Sequence, residues 1–350
     1  MDSLAVMIAT PLTGPLAERI AAVDARVELR YDPALLPPSR WPGDIEGDPG
    51  FRRDAAGERR WRELLAGADV IYGIPGNAGA GLVELLRAAP RARWVQARNA
   101  GAGEQLGAAL ALDAGALRDV TVTSVSGIHA LALAEFALFG LLAFAKRLPE
   151  LERDKAARAW PEIKPTMRAL AGRTVLVLGL GAIGLELGRM AGALGMRVLG
   201  VKRTPGPVAG VDEVAAPDRL GELAARADAL VVTLPGTDAT RGMVDAAVLA
   251  ALRPGAVVVN VGRGAVIDEP ALVAALRAGR LAGACLDVFA REPLPADSPL
   301  WGLDNVILCP HVAARTEDED ARAVDVFAAN LRRRLAGEPL ANRVDPAELY

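Results

Sequence analysis

The sequence predicts an α/β protein of two parallel-sheet domains. Three observations carry that expectation. Short apolar runs rich in Val, Leu and Ile alternate with helical patterns along nearly the whole chain. A glycine turn of spacing G-x-G-x-x-G, Gly179 to Gly184, lies between a clean strand pattern and a clean helix pattern. At 350 residues, 52% of them hydrophobic, the chain is long enough for two cores.

The first 120 residues predict strands at Leu4–Ala9, Arg26–Arg30, Ala68–Ile74 and Arg93–Gln96, with helices near 15–22, 53–66 and 79–88. Residues 32–50 are crowded with Pro, Gly and Asp and read as a long loop, an insertion rather than a lid. After the fourth strand comes Ala97-Arg98-Asn99-Ala100-Gly101-Ala102-Gly103-Glu104. Its small residues would leave backbone N–H groups open to an anion; the segment also reads as an ordinary strand-to-helix turn. Residues 128–147 form a helix that is apolar almost all round, a pattern that belongs in a core or a subunit interface. His129, at its start, reads as a packing or capping residue.

From Arg173 a second α/β unit begins, with strands at 174–178, 196–201, 228–233, 255–261, 281–287 and 305–308. Helices fill the gaps near 182–194, 217–226, 245–252 and 268–278, and one near 317–335 closes the chain. This is a six-strand doubly wound, Rossmann-like pattern. In its first turn Gly179 permits a sharp reversal, Gly181 presents bare backbone to a pyrophosphate, and Gly184 lets helix and strand pack closely. Together with Ala182 and Ile183 they open the helix, whose N–H groups and dipole favour phosphate. An NAD site usually ends its second strand in an acid, but this strand runs into Lys202-Arg203-Thr204. Two cations and a hydroxyl suit a 2′-phosphate, so NADP(H) is the preferred reading and NAD(H) the alternative.

Net charge is −3, which leaves no footprint for nucleic acid or an anionic membrane. The two cysteines and two histidines cannot assemble a metal cluster at these spacings, and Cys285 and Cys309 read as small buried hydrophobes. The N-terminus lacks a basic segment and reads as a strand, not a leader, so a soluble cytoplasmic protein is expected.

Three segments then place polar groups at carboxyl ends of strands, where open α/β sheets bind ligands. Arg263 follows Val257-Val-Val-Asn-Val-Gly262, Asp287 and Glu292 follow Leu286, and His311 follows Leu308-Cys-Pro. In order and spacing the chain resembles the D-isomer-specific 2-hydroxyacid dehydrogenase family. The resemblance takes in Gly101–Gly103, Ala134-Glu135-Phe136, the glycine turn, Pro235 with Thr237 and Thr240, Arg263, Asp287, Glu292 and His311. It implies a catalytic trio of Arg263, Glu292 and His311. It implies cofactor contacts at Leu234, Pro235, Val261, Gly262, Asp287 and Ala314, and a substrate carboxylate site at Ala102 and Gly103 together with Arg263 and His311. It also implies two flavodoxin-like and Rossmann-like domains around a cleft. The dinucleotide domain, 121–314, would be inserted into a substrate domain of 1–120 and 315–350, and a homodimer would form through the cofactor domain, with which the apolar helix at 130–145 is consistent. The extra regulatory domain of some phosphoglycerate dehydrogenases is not expected after residue 350. Arg98-Asn99-Ala100 departs from the family pattern and bears on side-chain selectivity.

The chemistry expected is hydride exchange between NAD(P)H and a small 2-keto or D-2-hydroxy acid of glyoxylate or hydroxypyruvate type. His311 would donate the proton, Glu292 would orient its ring, and Arg263 would hold the carboxylate and keto oxygen. An NAD-dependent phosphoglycerate-type dehydrogenase and a non-enzymatic dinucleotide sensor of co-repressor type are the alternatives.

Overall fold

A computed structural model describes residues 3–347. The chain divides into two compact units. One runs from His129 to Ala314; the other combines the segments up to Ile128 and from Arg315.

In the first unit β1 (Leu4–Ile8), α1 (Gly14–Ala21), β2 (Val27–Arg30), α2 (Ala55–Ala66), β3 (Val70–Tyr72), α3 (Gly79–Ala88), β4 (Trp94–Gln96), α4 (Gly103–Leu112) and β5 (Thr121–Thr123) follow one another. The strands form one parallel sheet in the order β2-β1-β3-β4-β5. β1, β3 and β4 are almost wholly buried, as expected of a sheet covered on both faces. Two elements here escape the sequence pattern. β5 has only three residues, and α4 opens on glycine and is built largely of Ala and Leu without a polar stripe.

The second unit holds α5 (Ala130–Ala145), α6 (Leu148–Ala156), β6 (Thr174–Leu178), α7 (Ala182–Ala193), β7 (Arg197–Val201), β8 (Glu213–Ala215), α8 (Leu220–Ala224), β9 (Ala229–Val232), α9 (Ala246–Ala251), β10 (Ala256–Asn260), α10 (Glu269–Arg277), β11 (Leu281–Leu286) and β12 (Val306–Leu308). Its parallel sheet has seven strands, β12-β11-β10-β9-β6-β7-β8, one more than the pattern predicts. The addition is β8, a half-exposed edge strand of three residues behind a Pro- and Gly-rich loop, too short to show a period. The sheet order reverses at β6, which lies between β9 and β7 and ends in the glycine turn.

α11 (Glu319–Leu335) returns to the first unit. Its Phe327 is fully buried, with ring centroids 4.8 Å from Tyr72 and 5.1 Å from Trp94. Truncating such a side chain typically costs about 3–5 kcal/mol, so the closing helix is integral to that core. The loop at 32–50 is ordered by one carboxylate. Buried Asp44 accepts the N–H groups of Arg40, Glu46 and Gly47 and the Arg40 guanidinium. Trp41 in the same loop is approached by the guanidinium groups of Arg40 and Arg315, 4.1 and 5.4 Å from its ring centre. Among the described residues no helix is long and apolar enough to cross a membrane.

Candidate active site

The glycine turn has the shape its sequence requires. Gly179 adopts φ +109°, a region L side chains avoid. A Cβ on Gly184 would lie 2.0 Å from the Gly179 carbonyl oxygen, so only glycine lets α7 approach β6. A Cβ on Gly181 would meet no protein atom within 4 Å; the backbone there faces open space. Gly181 caps α7, whose first-turn N–H groups on Ala182, Ile183 and Gly184 have no partner within the helix. A cradle of bare backbone at the positive end of a twelve-residue helix fits a dinucleotide pyrophosphate. Lys202, Arg203 and Thr204 follow β7 as exposed residues. Gly179 N–H donates to Val201 C=O at 3.1 Å, so the basic turn starts beside the glycine turn.

The neighbouring loops gather on the same edge of the sheet. Thr233 Oγ1 donates to the Gly179 carbonyl at 2.6 Å. Leu234 lies against both Gly179 and Gly262, and Thr240 Oγ1 donates to the Pro235 carbonyl at 2.6 Å. Val261 is buried in the cluster on which Ala314 packs.

Arg263 is exposed just beyond β10, its stem beside Gly236. His311 and Glu292 stand on loops after β12 and β11, with His311 Nδ1 2.7 Å from Glu292 Oε2. The other carboxylate oxygen, Oε1, accepts Phe289 N–H at 2.9 Å, which fixes the carboxylate plane. With Nδ1 donating to Glu292, Nε2 is the ring nitrogen left for a ligand. Both side chains are partly open to solvent, 48% for His311 and 34% for Glu292.

Behind them Asp287 is buried, 1% exposed, and its Oδ1 accepts the N–H groups of Val312 and Ala313. Cys309 is half-buried; burial, and then a hydrogen bond to Asp287, pushes its thiol up to about 11. Burial pushes the Cys285 thiol up to about 12. Neither is a nucleophile near neutral pH. Asn260, which sequence reasoning passed over, is 1% exposed and bonds both sides of the turn that carries Arg263. Its one signal was being a lone polar residue at the end of Ala256-Val-Val-Val.

In the first unit Ala102 and Gly103 begin α4, with Ala102 buried. Arg98 corrects an expectation. Its guanidinium turns inward, donates to the Pro11 carbonyl, to Thr10 Oγ1 at 3.3 Å and to Asp320, and lies over the Tyr72 ring. Only 2% of the side chain is exposed, so Arg98 offers no charge for substrate selection. His129 stands at the N-cap of α5, and its side chain makes no cap bond. Among the described residues no group of three His, Cys, Asp or Glu side chains could hold a metal ion.

A doubly wound sheet with a phosphate-type glycine turn and an Arg, Glu and His trio at its carboxyl edge defines a dinucleotide-dependent oxidoreductase class. Comparison with known proteins is more specific. Residues 138–313 match the model of the D-isomer specific 2-hydroxyacid dehydrogenase, NAD binding domain. The chain is 33% identical over 294 residues to an (S)-sulfolactate dehydrogenase of Chromohalobacter salexigens, covering 83% of this chain and 94% of that one. A D-isomer specific 2-hydroxyacid dehydrogenase of Xanthobacter autotrophicus Py2, solved with NADPH and MES, superposes with a TM-score of 0.76 at 32% identity over all of both chains. An NADPH-dependent glyoxylate/hydroxypyruvate reductase of Sinorhizobium meliloti, solved with NADP and sulfate, gives 0.74 at 27% identity, covering 99% of this chain and all of that one. Matches to the D-3-phosphoglycerate dehydrogenases of Archaeoglobus fulgidus and Mycobacterium leprae span 44% and 48% of those proteins. The chain belongs to the D-isomer specific 2-hydroxyacid dehydrogenase family, a family of NAD(P)-dependent oxidoreductases.

Proposed function

We propose that this protein is an NADP(H)-preferring reductase of small 2-keto acids of glyoxylate or hydroxypyruvate type, with NAD(H) as a second cofactor. The observation that carries the reading is the Glu292–His311 pair at 2.7 Å, on the same sheet edge as Arg263 and the glycine turn. The basic turn Lys202-Arg203-Thr204, and NADP(H) in the Xanthobacter and Sinorhizobium neighbours, support the cofactor preference.

Bound there, the nicotinamide supplies a hydride to the keto carbon. The residues do the rest. Arg263 forks the substrate carboxylate and keto oxygen, fixing orientation and stabilising developing negative charge. His311 delivers the proton from Nε2 to that oxygen, giving the 2-hydroxy acid. Glu292 holds the ring in the tautomer and plane this requires and stabilises the imidazolium. Gly179, Gly181, Ala182, Ile183 and Gly184 would hold the pyrophosphate, and Leu234, Pro235, Val261, Gly262, Asp287 and Ala314 the remainder of the cofactor. Ala102 and Gly103 would offer backbone N–H groups to the carboxylate. In this reading the unit from His129 to Ala314 is the dinucleotide domain, and the segments up to Ile128 and from Arg315 the substrate domain; the expected boundary at 121 moves past β5, which pairs with β4. The exposed apolar residues of α5, Leu131, Phe139 and Leu142, support a homodimer.

The named phosphoglycerate dehydrogenases favour a second reading, an NAD-dependent enzyme for a phosphorylated substrate. Initial rates with glyoxylate, hydroxypyruvate and 3-phosphohydroxypyruvate, each with NADPH and NADH, separate the two. His311→Ala should lower kcat by about 10³-fold with NADPH affinity nearly unchanged. An unaltered kcat removes His311 from the mechanism.

A further inference from the structure

We propose that Asn260 and Asp287, two buried side chains behind the site, are positioning residues that aim Arg263 and His311. This rests on the roles given to those two residues above. Asn260 is the last residue of β10 and Asp287 the first beyond β11. They share a rung: Asp287 N–H donates to the Asn260 carbonyl at 3.0 Å. From that rung each side chain reaches into one functional loop.

Asn260 clamps the turn of Arg263. Its Oδ1 accepts Gly262 N–H at 3.0 Å, and its Nδ2 donates to the Arg263 carbonyl at 3.1 Å. A donor and an acceptor on one planar group hold both sides of the turn, as no apolar side chain could. The Arg263 side chain therefore leaves from a backbone set by Asn260.

Asp287 does the same for His311. His311 has φ +55°, a left-handed conformation that a residue with a Cβ keeps only when its surroundings impose it. His311 N–H donates to the Asp287 carbonyl at 2.9 Å and to the Cys309 carbonyl at 3.0 Å. The next two N–H groups, of Val312 and Ala313, both go to Asp287 Oδ1 at 2.9 and 3.1 Å. Three consecutive N–H groups are thus turned onto one residue. This holds the imidazole where Glu292, itself held by Phe289 N–H, can meet Nδ1. A buried carboxylate is unfavourable unless such donors compensate it, and here the donors bracket the histidine.

The experiment compares Asn260→Ala, Asp287→Ala, Asp287→Asn and His311→Ala. Each is measured for single-turnover reduction of glyoxylate at saturating NADPH, for KM of glyoxylate, for NADPH affinity by fluorescence, and for melting temperature. Asp287→Ala should slow single turnover at saturating NADPH by about 10²-fold, a loss that a weakened cofactor contact alone would not give once NADPH saturates. Asp287→Asn keeps an oxygen acceptor for the two N–H groups and should recover to within about fivefold of the parent. Asn260→Ala should raise the KM for glyoxylate by about tenfold and lower kcat as well, because Arg263 grips the carboxylate. Should Asp287→Ala fail to fold, Asp287→Asn decides: a loss as large as that of His311→Ala overturns the proposal. It is also overturned if folded Asp287→Ala turns over at the parent rate, even where NADPH affinity falls more than about tenfold, which would make Asp287 a cofactor contact alone. If His311→Ala itself turns over normally, the reading of His311 has failed. If His311→Ala is slow while Asp287→Ala and Asn260→Ala are fast, only the positioning claim has failed.

Discussion

The two units share one plan, a parallel sheet covered by helices, yet their buried polar side chains do different work. In the first unit several of them, and half-buried Arg322 with them, join segments far apart in the sequence. Arg98 bonds Asp320, the Arg322 guanidinium donates to the Ile128 carbonyl, and the Asn330 carboxamide both donates to the Ala341 carbonyl and accepts Ala341 N–H. These bonds fasten the returning C-terminal segment to a sheet made from the N-terminal part. In the second unit, whose chain is continuous, Asn260 and Asp287 bond the turns that present Arg263 and His311. The first unit closes over its distant segments with these bonds as well as with the apolar burial of Phe327. The second places its buried Asn260 and Asp287 behind the turns given the proposed chemistry.

This contrast can be tested by asking which property each substitution moves. The largest stability effect should come from Asp320→Ala, which leaves the Arg98 guanidinium buried without its counter-charge. A loss of about 3 kcal/mol in urea unfolding is expected, with NADPH affinity retained. Weakened NADPH binding at unaltered stability would erase the distinction between the units. The reverse pattern is expected of Lys202→Ala combined with Arg203→Ala. NADPH affinity should fall about 30-fold, or about 2 kcal/mol, while NADH affinity and melting temperature hold. Equal losses for both cofactors would show that the turn does not read the 2′-phosphate. The smallest effect concerns Cys309. With its thiol near 11, only about one part in a thousand is thiolate at pH 8, and the fraction grows as pH rises towards that value. Iodoacetamide at pH 8 should label the native protein far more slowly than the unfolded chain, leaving kcat intact. Rapid labelling with loss of activity would mean that the thiol beside Asp287 is exposed in solution.

Much of this was legible in the residues. Gly179, Gly181 and Gly184 announce a turn because each steric requirement falls on one position at a fixed spacing. The pattern of Arg263, Glu292 and His311 behind apolar strands marks the candidate functional edge. The loop at 32–50 was visible as a loop, but not the Asp44 carboxylate that orders it. β5 and β8, three residues each, are too short to carry a period, and α4 lacks a polar stripe. Arg98 looked like a residue near substrate because it precedes a glycine loop; its partner, Asp320, lies 222 positions away.

The sequence by itself determined the alternation of strands and helices, the dinucleotide turn and the candidates for the reactive side chains. Those signals are local, each a matter of period, spacing or backbone sterics within a few residues. Only the tertiary structure decided which way Arg98 faces, that His311 is left-handed, and that Asn260 and Asp287 stand behind the two loops. Each of those depends on the partner a polar group finds once the strands are side by side, and pairing between distant segments leaves no periodic trace in the chain.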